Sequence, residues 1–561
     1  MRIPSSLKSP STCTTSTSTG TTMCTALMSM ETLQPHDELV ALFLIALATI
    51  LLLKRVLPSP PPLFKRSSSA TGSPPFTRPM GLPVIGNLHQ LGGALPHASL
   101  AALAAEHAAP LMLLRLGSVT ALVVSSADAA RAVFQQRSND AALSGRPALY
   151  AAARLSYGLR NISFAPPDTD GFWRAARRAC VSELLGAPRV RGFRGVREAE
   201  AAALVAAVED ESNKGSPVNL SEKLVVTSNR IVRRIAFGDD DDDDQEISIC
   251  AKAILKETQS LLCAFFVADY LPWLGWLDAL RGLRRRLERN FHELDALYEK
   301  VIDDHLNKRT MTSKEEDLVD VLLRLHNDPA HRSTFGSRSQ IKGILTDMFV
   351  AGTDTSAAAM EWTMTELVRH PDVLAKAQRE VRSAVSDGRD TVLESDLPQL
   401  RYLKLVIRES LRLHPPASLL VPREATEPFT VHGYEMPAGT RVIVNAKAIG
   451  VDPGAWGPDA ARFVPERHVG VDVDDHKPWH DSGGFALVPF GLGPRSCPGV
   501  HFATAVVELL LANLLLCFDW RAPPHGGEVD LEEGSALTVH RKNPLVLVAE
   551  RWRAASDTSR G

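Results

Sequence analysis

Hydrophobic and polar positions divide the chain into an apolar segment, a proline-rich stretch and a long, mixed body. Leu39 to Leu53 (LVALFLIALATILLL) is an unbroken apolar run in which only Thr49 is polar, closed by Lys54 and Arg55. As a helix it spans about 22 Å against a hydrocarbon core of roughly 30 Å, and the snorkelling basic pair with Val56 and Leu57 makes up the difference. The pattern predicts a membrane anchor over residues 39–57. Residues 58–79 carry seven prolines and read as a stiff hinge. From 80 to 553 the pattern is mainly helical, as in Leu280–Leu306, where apolar residues recur at helical spacing against Arg and Glu. Phe502–Leu516 (FATAVVELLLANLLL) is a more apolar helix still. Strand-like stretches are few: Leu111–Leu116, Ala121–Val124, a pair within Phe429–Ala448 turning at Pro437-Ala438-Gly439, and a pair within Leu537–Val548 turning at Lys542-Asn543-Pro544. The expected class is mainly α with small β-sheets (α+β), in one body over 80–553 with a tail at 554–561. No other stretch reads as long and apolar enough to span a bilayer, which argues against a polytopic transporter.

The flanks of the anchor set its orientation. Asp37 and Glu38 precede it and the basic pair follows, so the positive-inside rule places the body in the cytosol. Residues 1–38 read as a leader or a misassigned start. The first 29 are rich in Ser and Thr with no acidic residue before Glu31, as in a plastid transit peptide; a true start at Met30 is the favoured alternative. Composition changes little. A charge balance of 62 − 65 = −3 offers no bulk field for nucleic acid. Seven cysteines without a C-x-x-C pair exclude a disulfide scaffold and a zinc ribbon. The acidic run Asp239–Asp244 lacks the interleaved Gly and spaced Glu of a calcium loop and reads as a solvated loop.

One cysteine stands apart. In Pro489–Gly499 (PFGLGPRSCPG), glycines at 491, 493 and 499 allow tight turns around Cys497, and Pro498 stands where a helix would begin. A helix N-terminus favours thiolate over thiol, and Arg495 adds positive charge. A lone thiolate in an apolar setting, without Cys or His neighbours, suits one axial bond to haem iron better than a zinc site.

The segment resembles the haem-ligand signature F-x-x-G-x-R-x-C-x-G of the cytochromes P-450, filled at Phe490, Gly493, Arg495, Cys497 and Gly499. The resemblance implies that Cys497 is the axial ligand of the iron of haem b (iron protoporphyrin IX), that Phe490 shields it, and that Arg495 meets a propionate. It implies a haem held between a long distal helix and a proximal cysteine loop. Other motifs follow in the family's order. Ala351-Gly352-Thr353-Asp354-Thr355-Ser356 interrupts an apolar helical pattern with poor helix formers, and Thr355 can bond back to the Ala351 carbonyl and bend the helix. It matches the oxygen-activation motif, which carries over Ala351 and Gly352 as haem-facing and Asp354 and Thr355 as the proton-delivery pair. Glu409 and Arg412 in RESLRLHPP, with Arg467 in FVPERH, resemble the ExxR and PERF elements and imply a structural ionic triad; His468 replaces the usual Phe. Trp173 and Arg177 match WxxxR, and Arg423 matches a further propionate-binding arginine. These details look most like the plant A-type microsomal branch.

The implied activity is a monooxygenase at the endoplasmic reticulum membrane, with the plastid as a minor alternative. It would insert one atom of O2 into a small lipophilic specialised metabolite. No G-x-G-x-x-G follows a strand, so electrons would come from a partner; the resemblance implies NADPH–cytochrome P-450 reductase, using NADPH, FAD and FMN, with cytochrome b5 as a second donor. Substrate contacts are expected from 149–162, 262–271, 348–351, 418–421 and 535–537. RLSYGLRNISFAPP (154–167) is similar to members acting on aldoximes; terpenoid and phenolic substrates stand equally. The rivals are a haem-thiolate isomerase or dehydratase needing no external electrons, against which the intact 352–355 motif argues, and a non-catalytic haem-binding protein.

Overall fold

Gly117 takes a left-handed φ of 63°, and any side chain there would strike the Tyr270 carbonyl. The glycine therefore lets Leu111–Leu116 (β1) and Val119–Val124 (β2) fold back as an antiparallel hairpin. The structure, a computed structural model, describes residues 76–553 apart from 94, 168–170, 239–244, 309–315, 386–388, 471–483 and 525–526, with the side chains of 137, 245–252 and 308 also excepted. The expected leader, anchor, most of the hinge, the acidic run and the tail lie outside the described residues.

Helices dominate the body. In chain order the principal elements are Phe172–Ala179 (α1), Arg194–Asn213 (α2), the short strand Val218–Asn219 (β3), Leu220–Phe237 (α3), Gln245–Cys263 (α4), Leu283–Lys308 (α5), Arg338–Arg369 (α6) and Arg401–Leu413 (α7). Strands Arg423–Glu424 (β4), Phe429–Val431 (β5), Tyr434–Met436 (β6) and Arg441–Val444 (β7) follow, then Val500–Cys517 (α8), Phe518–Arg521 (β8) and Val546–Arg551 (β9). Local chemistry sets several limits. Asn219 caps α3 by accepting the Glu222 N–H, and Ser337 and Gln340 close a reciprocal capping box on α6. Pro371 and the pair Pro415-Pro416 follow the ends of α6 and α7, where they cannot extend a helix. Within Leu280–Leu306, Gly282 at φ 72° separates the short helix Leu277–Leu280 from α5.

The strands make a four-stranded sheet in the order β1-β2-β7-β4, a three-stranded sheet β3-β9-β8, and the pair β5-β6. Both late hairpins differ from expectation. The chain reverses between β5 and β6 at His432-Gly433, whose φ values of 48° and 80° are those of a tight hairpin turn. The Pro-Ala-Gly turn only hands the chain on to β7, which leaves to pair in parallel with β2. In the second, Leu537 is not in a strand. Residues around Arg541 bridge to Glu533, and β9 pairs with β8 and β3, where Phe518 and Trp520 offer it a buried apolar face.

The main core is assembled on α6, which is buried almost along its length and packs against α3, α7 and α8. A smaller core fills the space around the four-stranded sheet. Among the described residues α8 is the helix long and apolar enough to cross a membrane, which corrects the expectation that no further stretch would be. It is 67% buried inside the body, as a core helix is.

Candidate functional site

The cysteine loop is a set of enforced backbone turns. Gly491 and Gly493 have φ values of 77° and 52°, and a side chain at Gly493 would run into the Asp140 carboxylate. The loop closes when the Cys497 N–H donates to the Phe490 carbonyl at 2.7 Å. Helix α8 starts at Val500 with Gly499 as its N-cap, so Pro498 precedes the cap and is not the first helical residue. Cys497 Sγ is accessible to solvent by surface area yet surrounded by protein; its exposed face is the wall of an internal cavity of about 300 Å³. Burial pushes the thiol up, while the Gly499 N–H and the charge of Arg177 pull it back. Arg177, not Arg495, supplies the expected positive charge. The Arg495 guanidinium stacks on Trp173 at 3.8 Å and donates to the carbonyls of Ser144, Ile162 and Ala165.

Four arginines converge on this cavity: Arg146, Arg177, Arg423 and Arg495 all line it. Arg177 donates to the Ser496 carbonyl at 2.7 Å, Arg423 to those of Leu143 and Leu492, and Trp173 Nε1 to that of Ile162 at 3.2 Å. Arg146, which sequence reasoning missed, donates to Ser163, Val421 and Pro422 carbonyls. Burial first, and then repulsion from Arg423, Arg495 and Arg177, hold Arg146 well below the ordinary arginine range. Arg423 is lowered to about 10 by burial, with Asp140 pulling it back up. Carbonyl dipoles orient these cations without neutralising them, and none of Arg146, Arg177 and Arg423 forms an ion pair among the described residues. A cluster of this kind fits a ligand with more than one anionic group, such as a haem with two propionates. The one local signal for Arg146 was an arginine set between Gly145 and Pro147 in a hydrophobic stretch. Gly145 is what lets that segment approach β4, since a side chain there would strike the Glu424 carbonyl.

Helix α6 supplies part of the cavity wall through Met348, Ala351, Gly352, Thr355, Ser356 and Ala359. The Thr355 hydroxyl donates to the Ala351 carbonyl at 2.6 Å and Ser356 to that of Gly352 at 3.2 Å, so the polar residues back-bond within an unbroken helix. A side chain at Gly352 would press on Val232 of α3 at 3.2 Å, so this glycine admits α3 as well as opening the wall. Asp354 does not line the cavity. Its carboxylate pairs with His540 at 3.0 Å. Two turns earlier, Asp347 accepts from Asn161 Nδ2 and from the N–H groups of Ile162 and Ser163, pinning the segment whose carbonyls receive Trp173, Arg495 and Arg146.

Glu409, Arg412 and Arg467 meet in the interior. Glu409 pairs with Arg412 at 2.7 Å and Arg467 at 2.8 Å, and His468 joins as a fourth member at 2.9 Å. Arg412 also donates to the carbonyls of Gly450, Ala460 and Arg462. Burial alone would raise the Glu409 carboxyl, but hydrogen bonds from Arg412 and His468 bring it down to about 2. Of the segments expected to touch substrate, 149–162, 348–351 and 418–421 contribute cavity-lining residues; 262–271 and 535–537 do not.

Comparison with known proteins bears on this arrangement. The Cytochrome P450 family model matches residues 74–548. The chain is 47% identical over 476 residues to Cytochrome P450 71A9 of Glycine max, covering 84% of this chain and 92% of that one. It is 45% identical over 482 residues to Strychnine-11-hydroxylase of Strychnos nux-vomica, covering 85% and 92%. A zebra fish cytochrome P450 solved with abiraterone superposes with a TM-score of 0.66 at 24% identity, over 82% of this chain and all of that one.

Proposed function

The chain belongs to the cytochrome P450 family and is a haem-binding monooxygenase; from that premise we propose that it oxidises a small lipophilic specialised metabolite at the cavity between Cys497 and Thr355. The observation that carries this reading is the wall of that cavity. Around the converging arginines and the thiol it is apolar, with Met348, Ala351, Ala359, Ala417, Leu420 and Val421 exposed to it. When bound, the haem supplies the iron at which one atom of O2 is inserted into substrate while the other leaves as water.

The chain's own residues do the rest. Cys497 gives up its thiol proton on ligation, and the Gly499 N–H and Arg177 support the thiolate. Arg146, Arg177, Arg423 and Arg495, which line the cavity, would hold the propionates, and Phe490 would shield the thiolate. Thr355 Oγ1 hands a proton inward, resupplied through Asp354, and the apolar wall excludes bulk water. Glu409, Arg412 and Arg467 tie α7 to the 450–468 segment. Electrons come from NADPH–cytochrome P450 reductase through its FAD and FMN, with cytochrome b5 as a second donor. Residues 39–57 anchor the protein in the endoplasmic reticulum membrane through the 58–79 hinge, body facing the cytosol. A hydroxylase among the relatives supports hydroxylation as the reaction, with terpenoid, phenolic and aldoxime substrates as the classes to screen.

The test is expression of the full chain in microsomes with a plant reductase, followed by a panel of those classes under labelled O2. NADPH-dependent product carrying one labelled oxygen atom is expected. Conversion without NADPH to a product of unchanged composition would instead identify a haem-thiolate isomerase.

A further inference from the structure

Asp354 and Glu361 stand two turns apart on α6, and a residue distant in sequence spans them. His540 is not among the cavity-lining residues; its Nδ1 bonds Glu361 Oε2 at 3.0 Å and its Nε2 lies 3.0 Å from Asp354 Oδ1. The second contact is an ion pair when the ring is protonated. Glu361 is fixed in turn by the Ser221 hydroxyl of α3 and the Arg541 N–H. The His540 and Asp354 side chains keep 23% and 17% of their surface, against 4% for Glu361, so the bridge is buried at its Glu361 end.

We propose that His540 is the positioning residue of Asp354: a cationic clasp, anchored on Glu361, that holds this carboxylate in one place on the helix that presents Thr355. The inference rests on reading Asp354 as part of proton delivery. Burial alone would lower the imidazole, but its contacts with Asp354 and Glu361 outweigh burial and push it up to about 10. It therefore stays charged across the neutral range. The other groups nearby do not replace it. Arg541 turns to Asp530 and Thr365, Arg369 lies beyond Arg541, and Cys263 of α4 is a thiol pushed up by burial and by Asp354. Among the described residues no second cation comes within ion-pair distance of Asp354.

The experiment needs no substrate. Full-length protein with reductase consumes O2 and NADPH in two ways: one NADPH and one proton per O2 give hydrogen peroxide, and two NADPH and two protons give two waters. Peroxide released per NADPH thus reports proton delivery. His540→Gln is expected to raise that ratio severalfold with the haem-thiolate spectrum intact, and His540→Arg, which keeps the charge, to restore it. Asp354→Asn is expected to raise it as far, and the Asp354→Asn/His540→Gln pair no further. In the unaltered protein the ratio should be flat from pH 6 to 9, and a carbon-13-labelled His540 ring, identified by its absence from the Arg variant, should remain protonated at pH 8. A raised ratio in Asp354→Asn with a wild-type ratio in His540→Gln would overturn the clasp and leave the reading of Asp354 standing. A wild-type ratio in Asp354→Asn would overturn both. Should the Gln variant not fold, an inflection near pH 6.5 in the unaltered protein, or a His540 ring neutral at pH 8, overturns the clasp alone.

Discussion

Cys497, Thr355 and Arg146 are three single residues whose contributions separate cleanly. Cys497→Ser should abolish the red-shifted Soret band of the reduced, carbon-monoxide-bound protein, since no other described cysteine lines the cavity. Thr355→Ala should retain that band and raise peroxide per NADPH severalfold, while Thr355→Ser, which keeps a hydroxyl able to bond the Ala351 carbonyl, stays near the parent value. Arg146→Leu should weaken haem retention by roughly tenfold to a hundredfold, the range for losing one charge-assisted contact of about 1.5–3 kcal/mol. Haem transfer to excess apomyoglobin measures it, and unchanged transfer would remove Arg146 from the propionate set. The first two residues were legible because their motifs are short and contiguous: Cys497 lies inside its glycines, and Thr355 breaks a helical pattern it belongs to. Arg146 carries no such mark. What makes it matter is its convergence with Arg423 and Arg495, 277 and 349 positions away along the chain (423 − 146 and 495 − 146).

Helix α6 shows the same contrast at the scale of an element. Its apolar repeat was readable, and so was the polar interruption at 352–356. The side to which each polar residue turns was not. Asp354 faces His540 and Asp347 faces the 161–163 segment, because those partners arrive from other parts of the chain. Asp347 yields a pH prediction. Burial pushes its carboxyl up from 3.8 to about 6, against the hydrogen bonds it accepts from Ser163, Ile162 and Asn161. Its folded value lies above its unfolded one, so ionising it costs the native state up to about 3 kcal/mol as pH rises through 6. Below about pH 4 that cost is absent, because the carboxyl is protonated in both states. The denaturant midpoint should therefore carry a component that falls as pH rises from 4 to 7, and Asp347→Asn, which cannot ionise, should lack it. An unchanged pH profile in the variant would contradict the raised carboxyl. The late hairpins misled for a related reason: turn residues mark where a chain can reverse, whereas β7 and β9 became interior strands, β7 between β2 and β4 and β9 between β3 and β8.

For the whole molecule, the buried cluster at Glu409 links stability to acid. Its carboxyl is depressed from 4.5 to about 2. It therefore contributes stability that is complete above pH 4.5 and lost as pH falls through 2, by about 3 kcal/mol. Glu409→Gln leaves Arg412 buried against a neutral amide and should cost about 3–5 kcal/mol at pH 7. Its denaturant midpoint should also change less than the parent's between pH 4.5 and 2; a parallel acid profile would contradict the depressed carboxyl. The ExxR spacing was visible because it is local to one helix, and Arg467 because it follows in a recognisable run. That His468 completes the cluster was not, since it depends on how the 463–468 segment docks on α7. Chemistry carried by neighbours along the chain, such as a thiol in a glycine loop, a hydroxyl one turn from its carbonyl, or an apolar repeat, was determined by the sequence alone, because backbone geometry fixes those distances before the molecule folds. The tertiary structure decided which arginines crowd one cavity, which way Asp354 turns and which strands pair. Those contacts join residues far apart in the chain, and they exist only because burying the apolar faces of α3, α6, α7 and α8 together leaves each charge one remaining place to find a partner.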